Sequence, residues 1–301
     1  MHSRHTLRDF ILIFHVPRLS LCGTLVLVDM RQPARVVEAM ESAPDPRGVL
    51  YPARLPAIER FSPGPGLQEL VSWFWLVDWN IAPGRTSRQE LLPFPQMNLV
   101  IEPEGITLSG PASGASHRDL DGSSWAVSAL LRPAAAQALN VSPAELLDQE
   151  IQFSAPGLLA SITRMKTQPG HGNSGSACAE LFDSWLTAHL PAATSSGLQA
   201  NKLLDTVAAE RGIVRVSQLA HRLSLSTRSL QRISERYLGL APLAVIRRYR
   251  LQEAAHRLRA DTAVSIAGIA AEMGYADQAH LAADFRKVLG YSPVTYRKGR
   301  A

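Results

Sequence analysis

Of the 20 prolines in this chain, 18 precede residue 198, and only Pro242 and Pro293 follow it. Proline carries no amide hydrogen and breaks the interior of a helix or a central strand. The last hundred residues can therefore be helical throughout, whereas the first part is expected to be mixed or β-rich. All five tryptophans (Trp73, Trp75, Trp79, Trp125 and Trp185) belong to that first part. A chain of 301 residues has room for about two domains, each with its own core. The run Pro191 to Gly197 has the composition of a linker between them.

Charge divides at the same place. From Leu198 onward there are 17 basic and 8 acidic residues, a net of +9, against 14 and 18 before it, a net of −4. A basic half attached to a mildly acidic one suggests a polyanionic partner for the basic half, although a solvated basic face would show the same balance.

The basic half contains one pattern twice. Leu203, Leu204, Val207 and Ala208 form an apolar stripe at helical spacing, and Val216–Leu223 forms a second with Leu219, Ala220 and Leu223 inward. Ser226 then offers a hydroxyl to cap a third helix, Thr227–Leu238, which stops at Gly239. Leu230, Ile233 and Tyr237 face inward, leaving Thr227, Arg228, Gln231, Arg232 and Arg236 outward. The pattern returns with Ser265 capping Ile266–Met273, a turn at Gly274-Tyr275-Ala276, and Asp277 capping Gln278–Leu289 before Gly290. Leu281, Phe285 and Leu289 face inward there, with Gln278, His280, Ala282 and Arg286 outward. Two short helices around a tight turn, the second opening with hydroxyl, Arg and Gln side chains, make a helix-turn-helix. A major groove admits one such helix. Arg can pair bidentately with guanine there, and Gln with adenine.

Between the two units, Pro242 to Arg259 predicts one long helix with Leu243, Ile246, Leu251, Ala254, Ala255 and Leu258 inward. Roughly 17 residues at 1.5 Å each give a rod of about 26 Å. With the bodies of two units added, that length suits two adjacent major grooves, which lie about 34 Å apart.

The series Leu219-Ala220, Leu225-Ser226, Leu230-Gln231-Arg232, Arg250-Leu251, Ile269-Ala270, Gly274-Tyr275-Ala276-Asp277-Gln278, Phe285-Arg286-Lys287 and Gly290-Tyr291-Ser292-Pro293 resembles the DNA-binding domain of the AraC/XylS family of bacterial transcription regulators. The resemblance runs from about Leu198 to Lys298. It implies a sequence-specific regulator, in the family's tendency an activator, that reads DNA through Ser226, Thr227, Arg228, Gln231, Arg232 and Arg236 in the first unit and Gln278, His280, Arg286 and Lys287 in the second. Arg286 and Lys287 suit phosphate better than bases. The chain departs from the family in two places. Ala282-Ala283 replaces a Ser or Thr followed by Arg, which weakens base reading by the second unit. Arg215 replaces a capping Ser or Thr, so a frayed helix start is expected there.

In the first part, Trp73-Phe74-Trp75 is a β-prone core segment, 97–102 and 105–110 read as a strand pair, and Trp125–Leu131 as a further strand. Helices are expected at 133–140, 143–148 and 177–190, with a Gly-rich loop at 168–176. Trp73-x-Trp75, Leu91-Leu92-Pro93, Asn98 and Arg132-Pro133 resemble the N-terminal domain of one AraC-family group, which implies a regulatory or sensing role. Trp73, Trp75 and Trp125 are candidates to line a ligand pocket, although ordinary aromatic burial explains such residues equally.

The expected class is therefore α+β: an extension over 1–49 that is poorly ordered or over-annotated, a β-rich mixed regulatory domain over 50–190, a linker over 191–197, and an all-α AraC-type domain over 198–301. Its units are expected at about 216–239 and 265–290, joined by a helix at about 242–260. Double-stranded DNA is the expected partner. RNA polymerase, a small-molecule effector and a second copy of the chain are further candidates; no membrane partner, cofactor or metal is expected. Two cysteines, Cys22 and Cys178, cannot form a disulfide framework, and a cytoplasmic location follows most simply. Pro17 and Arg18 interrupt the apolar run Phe10–Phe14, so a signal peptide is not expected. The rival class is a DNA-binding half fused to a catalytic repair or modifying domain. It lacks a phosphate-binding loop, a dinucleotide fingerprint and any evident nucleophile with its base. A purely architectural DNA binder would not need the Trp-rich first part.

Overall fold

The computed structural model describes residues 58–91, 93–167, 175–260 and 263–298. The extension expected at 1–49 and Cys22 lie outside the described residues, as does most of the Gly-rich loop expected at 168–176. The first part is β-rich and the second helical, as the proline distribution requires.

Strands β1 (Ile58–Phe61), β2 (Val71–Asn80), β4 (Asn98–Glu102), β5 (Gly105–Ser109), β7 (Ser123–Leu131) and β8 (Glu150–Gln152) form one sheet in the order β1-β2-β7-β4-β5-β8. Every neighbouring pair is antiparallel. Strands β3 (Ser87–Leu91) and β6 (Ser116–Leu120) pair as a separate two-stranded ribbon. Strand alternation gives the large sheet two different faces. Phe74 and Leu76 of β2 and Trp125, Val127, Ala129 and Leu131 of β7 point into the core, where α2 (Pro156–Thr167) and α3 (Gly175–His189) contribute Leu158, Ile162, Phe182 and Leu186. The opposite face carries Trp73, Trp75, Val77 and Trp79 and faces the ribbon.

The expected helix at 143–148 is a series of turns. Only α1 (Ala135–Ala138) forms in that region, because Asn140 and Asp148 take left-handed backbone conformations at φ 54 and 57 that redirect the chain. The expected linker is also partly helical. Thr194 caps α4 (Ser195–Ala209) by accepting from the Gly197 amide at 3.2 Å. A Cβ on Gly197 would lie 2.9 Å from the Ala134 Cβ, so glycine here permits close packing of α4 on the first domain.

The helices that follow are α5 (Val216–Arg222), α6 (Thr227–Leu238), α7 (Pro242–Ala260), α8 (Ile266–Glu272), α9 (Gln278–Leu289) and α10 (Pro293–Lys298). The two domains do not have one core each. A single continuous core runs from the sheet through α1 and α4 into α5, α6 and the start of α7, ending at Ile246. A second core begins at Leu251 and gathers Ile269, Met273, Leu281, Phe285 and Tyr296. The division thus falls inside the helical half, part-way along α7.

Polar contacts reinforce the first core. Buried Asn201 accepts from the Ala134 amide at 3.0 Å and donates to the Glu69 carbonyl at 2.8 Å. Tyr237 and Thr194 both donate to Gln137 Oε1, at 2.7 and 2.8 Å. Gly239, at φ 65, sits so close to the Pro143 carbonyl that a Cβ would approach it to 2.5 Å.

Candidate nucleic-acid interface and sheet cavity

Helix α6 is built as its sequence dictates. Ser226 Oγ accepts from the Ser229 amide at 3.1 Å, and Gly239 closes the helix in the left-handed region. Leu230, Ile233, Tyr237 and Leu238 are buried, which turns Ser226, Thr227, Arg228, Gln231, Arg232 and Arg236 to solvent. Arg228 and Arg232 form no ion pair with any described residue, so their guanidinium groups remain available to an external acceptor. The start of α5 is not frayed. Gln218 Oε1 accepts from the amides of both Val214 and Arg215 at 2.9 Å, replacing the hydroxyl cap that Arg215 cannot provide.

Helix α9 has the same frame and a poorer face. Asp277 accepts from the His280 amide at 2.7 Å, and Gly290 ends the helix at φ 77. Gln278, His280, Arg286 and Lys287 are exposed. The His280 ring meets the Tyr275 ring edge-on at 5.1 Å. Ala282 and Ala283 add no polar group between them. Behind this face, Arg250 lies over the Tyr275 ring at 4.0 Å and donates from Nε to the Met273 carbonyl at 2.6 Å. Burial pushes the Tyr275 phenol up to about 12 and lowers the Arg250 guanidinium.

Two family models match the chain. Residues 219–299 match a helix-turn-helix domain family, and residues 59–152 match a domain family of unknown function (DUF6597). Over 82 residues the chain is 39% identical to the HTH-type transcriptional activator RhaS of Escherichia fergusonii, covering 27% of this chain and 29% of that protein. It is 35% identical over 83 residues to an AraC-like transcription regulator of Streptomyces lividans, 28% of this chain and 27% of that one. The carboxy-terminal third is an AraC-type helix-turn-helix domain. The chain spans less than a third of the length of either of these relatives. Among solved structures, an AraC-type regulator from Chromobacterium violaceum aligns at 24% identity over 35% of this chain and 95% of that one, with a TM-score of 0.33. ToxT from Vibrio cholerae aligns at 13% identity over 75% of this chain and 97% of that one, with a TM-score of 0.41.

Attached to this AraC-type domain, the first domain encloses a cavity of about 630 Å³ between the large sheet and the β3–β6 ribbon. Trp73 and Trp75 line it. Trp125 does not: it pairs across the sheet with Asp78, a residue on the opposite side of β2 from the tryptophan stripe, and so lies in the core. Trp79 takes its place in the cavity wall. The period-two spacing of Trp73, Trp75 and Trp79 could have revealed this from sequence; the contributions of Arg60, Phe94 and the segment Gly110–Ser116 could not. Arg60 sits over the Trp73 ring at 5.1 Å, Phe94 meets the same ring edge-on at 6.2 Å, and Arg118 pairs with Glu102.

Cys178, the described cysteine, is buried in α3, and burial raises its thiol above the usual range, the reverse of what a nucleophile needs. No group of three or more His, Cys, Asp or Glu among the described residues is placed to hold a metal ion. No helix among them is long and apolar enough to cross a membrane.

Proposed function

We propose that the protein is a sequence-specific, DNA-binding transcription regulator, an activator like its RhaS relatives are named to be, whose first domain controls the AraC-type domain. The observation that carries this reading is the solvent face of α6. A buried apolar side anchors the helix in the main core, while Thr227, Arg228, Gln231 and Arg232 project from its first two turns. Those are the positions from which a recognition helix reaches base edges. Helix α9 supplies a second contact surface, with Gln278 and His280 toward bases and Arg286 and Lys287 toward phosphate. The 19-residue α7, about 28 Å long at 1.5 Å per residue, together with the bodies of the two units supports contact with adjacent major grooves about 34 Å apart.

RNA polymerase is the partner through which an activator acts, and a second copy of the chain would double the operator contacts. Control by the first domain is supported by the shared core and by the bonds of Asn201, Tyr237 and Thr194, which join the sheet domain to the first unit.

The test is selection of bound duplexes from a random pool with the full chain, followed by binding at several salt concentrations. The expected result is an enriched motif and an affinity that falls steeply with salt. A pool that emerges unenriched, or an affinity indifferent to salt, overturns the proposal.

A further inference from the structure

Between the two recognition helices lies a group of charges that the contacts proposed above do not use. Helix α7 begins after the short link Gly239–Ala241 that ends α6, and Arg247 stands in its second turn. The Arg247 guanidinium faces Asp284 of α9, with Nε 3.7 Å from Oδ2. One side chain thus reaches from the end of the first recognition helix to the second.

The fold shows which way this gap opens. The first domain meets both recognition helices at their carboxy-terminal ends. The Pro143 carbonyl lies against Gly239, and the Ala115 amide donates to the Val288 carbonyl at 2.7 Å. The base-reading residues belong to the first turns of α6 and α9, so both helices lead away from the first domain toward the duplex. On α7, buried Arg248 and Gln252 share a face, and Gln252 Nε2 donates to the Pro93 carbonyl of the first domain at 3.1 Å. Arg247 stands about 100° around the helix from Arg248, and its side chain is 43% exposed.

The pair with Asp284 is loose. The Asp284 carboxylate is mostly buried, yet its Oδ2 accepts no hydrogen bond. A long ion pair to a solvated arginine stabilises little. Behind it, Arg250 is held over the Tyr275 ring and by the Met273 carbonyl, and its Nη2 has no hydrogen-bond partner. Two guanidinium groups therefore stand beside one carboxylate. The nearby acids Glu253 and Glu272 are engaged elsewhere, with Arg211 at 3.1 Å and Arg257 at 2.8 Å. The gap keeps a net positive charge.

When α6 and α9 occupy adjacent major grooves, the stretch of duplex facing this gap is the minor groove between them, bordered by two phosphate strands. A planar guanidinium with unused donors matches a phosphate. We infer that Arg247 makes a third DNA contact, to a phosphate bordering that central minor groove, and that Asp284 is the carboxylate with which the phosphate competes for it. This inference rests on the DNA-binding function proposed above. The contact reads no base. It forms only when both helices are seated, so it strengthens binding to duplexes that carry both half-sites.

The experiment measures binding of the full chain, over a range of salt concentrations, to a duplex selected from a random pool. Arg247→Gln, checked for an unchanged melting temperature, is expected to bind about tenfold more weakly on every single-base variant of that duplex. Its slope of log affinity against log salt should be shallower by about 0.9, the value of one phosphate. A neutral methylphosphonate, placed in turn at each phosphate between the half-sites, should weaken the parent at a central position and leave Arg247→Gln unaffected there. Asp284→Asn removes the competing carboxylate and should bind several-fold more tightly. An unchanged salt slope for folded Arg247→Gln, an equal cost of every methylphosphonate to parent and variant, or weaker binding by Asp284→Asn would each overturn the inference. The parent chain separates the two readings. Unselective or salt-indifferent binding by the parent overturns the DNA-binding proposal and this inference with it. Selective, salt-dependent binding by the parent, with any of the three contrary outcomes, overturns this inference alone.

Discussion

The two helix-turn-helix units share a frame and differ in what surrounds it. The first has a well-furnished recognition face and is fused to the sheet domain through a continuous core. The second has two alanines where its face could carry polar groups, a core of its own, and a few bonds to the rim of a cavity. Similar local sequence has therefore been given two mechanical roles. The first unit shares its buried apolar core with the sheet domain, and the second packs around a core of its own. Between the units themselves, the shared α7 is supplemented by an ion pair of Arg211 with Glu253 at 3.1 Å and the approach of Gly274 to Val214.

The largest effect that should separate the two bodies is Phe285→Ala. Phe285 is fully buried in the second core, and its loss should cost about 3–5 kcal/mol. Hydrogen exchange is expected to rise across α8–α10 while α6 keeps its protection. Equal loss of protection in both units would show that they form one cooperative body after all.

Asn201→Ala should do the reverse, at a cost of about 2–3 kcal/mol, by orphaning the Ala134 amide and the Glu69 carbonyl. The sheet domain and the first unit should then melt together at a lower temperature in calorimetry. A drop confined to one of them would break the claim of a shared core.

On selected DNA, Arg228→Ala is expected to cost about 1–3 kcal/mol at particular base pairs. Gln278→Ala should cost under about 1 kcal/mol, because neighbouring Ala282 and Ala283 leave little base reading to lose. Competition binding with single-base operator variants distinguishes them. A uniform loss across all sequences for Arg228→Ala would make it a phosphate contact.

A further test concerns pH. Burial holds the Tyr275 phenol near 12, above its ordinary value of 10.0. Below that ordinary value both folded and unfolded forms keep the proton, and stability is unaffected. As pH rises from 10 toward 12 the unfolded chain releases the proton first, so the second unit should lose at most about 1.4 kcal/mol per pH unit. Exchange rates in α9 measured from pH 9 to 11 should show this slope, and Tyr275→Phe should flatten it.

The local chemistry of the helical half was legible in the sequence. Ser226, Ser265 and Asp277 cap their helices, Gly239 and Gly290 end them, and the apolar positions between fix which side chains face water. Those outcomes depend on neighbours three or four residues apart, the range over which a linear pattern carries information. The first domain was less legible, since strand pairing joins residues far apart in the chain. The ribbon of β3 and β6 lies within segments of mixed polarity, and nothing local announces that Gln89 faces Arg118 across it.

What the sequence alone determined is the existence of two capped, amphipathic recognition helices and the polar groups each exposes. Tertiary structure decided which face of the sheet each tryptophan occupies, and that the buried apolar side chains divide into two clusters part-way along α7. It also decided that Ala115 and Val288, 173 residues apart in number, are joined by one hydrogen bond. The physical reason is that periodicity records whether a side chain is buried, but not which distant surface buries it.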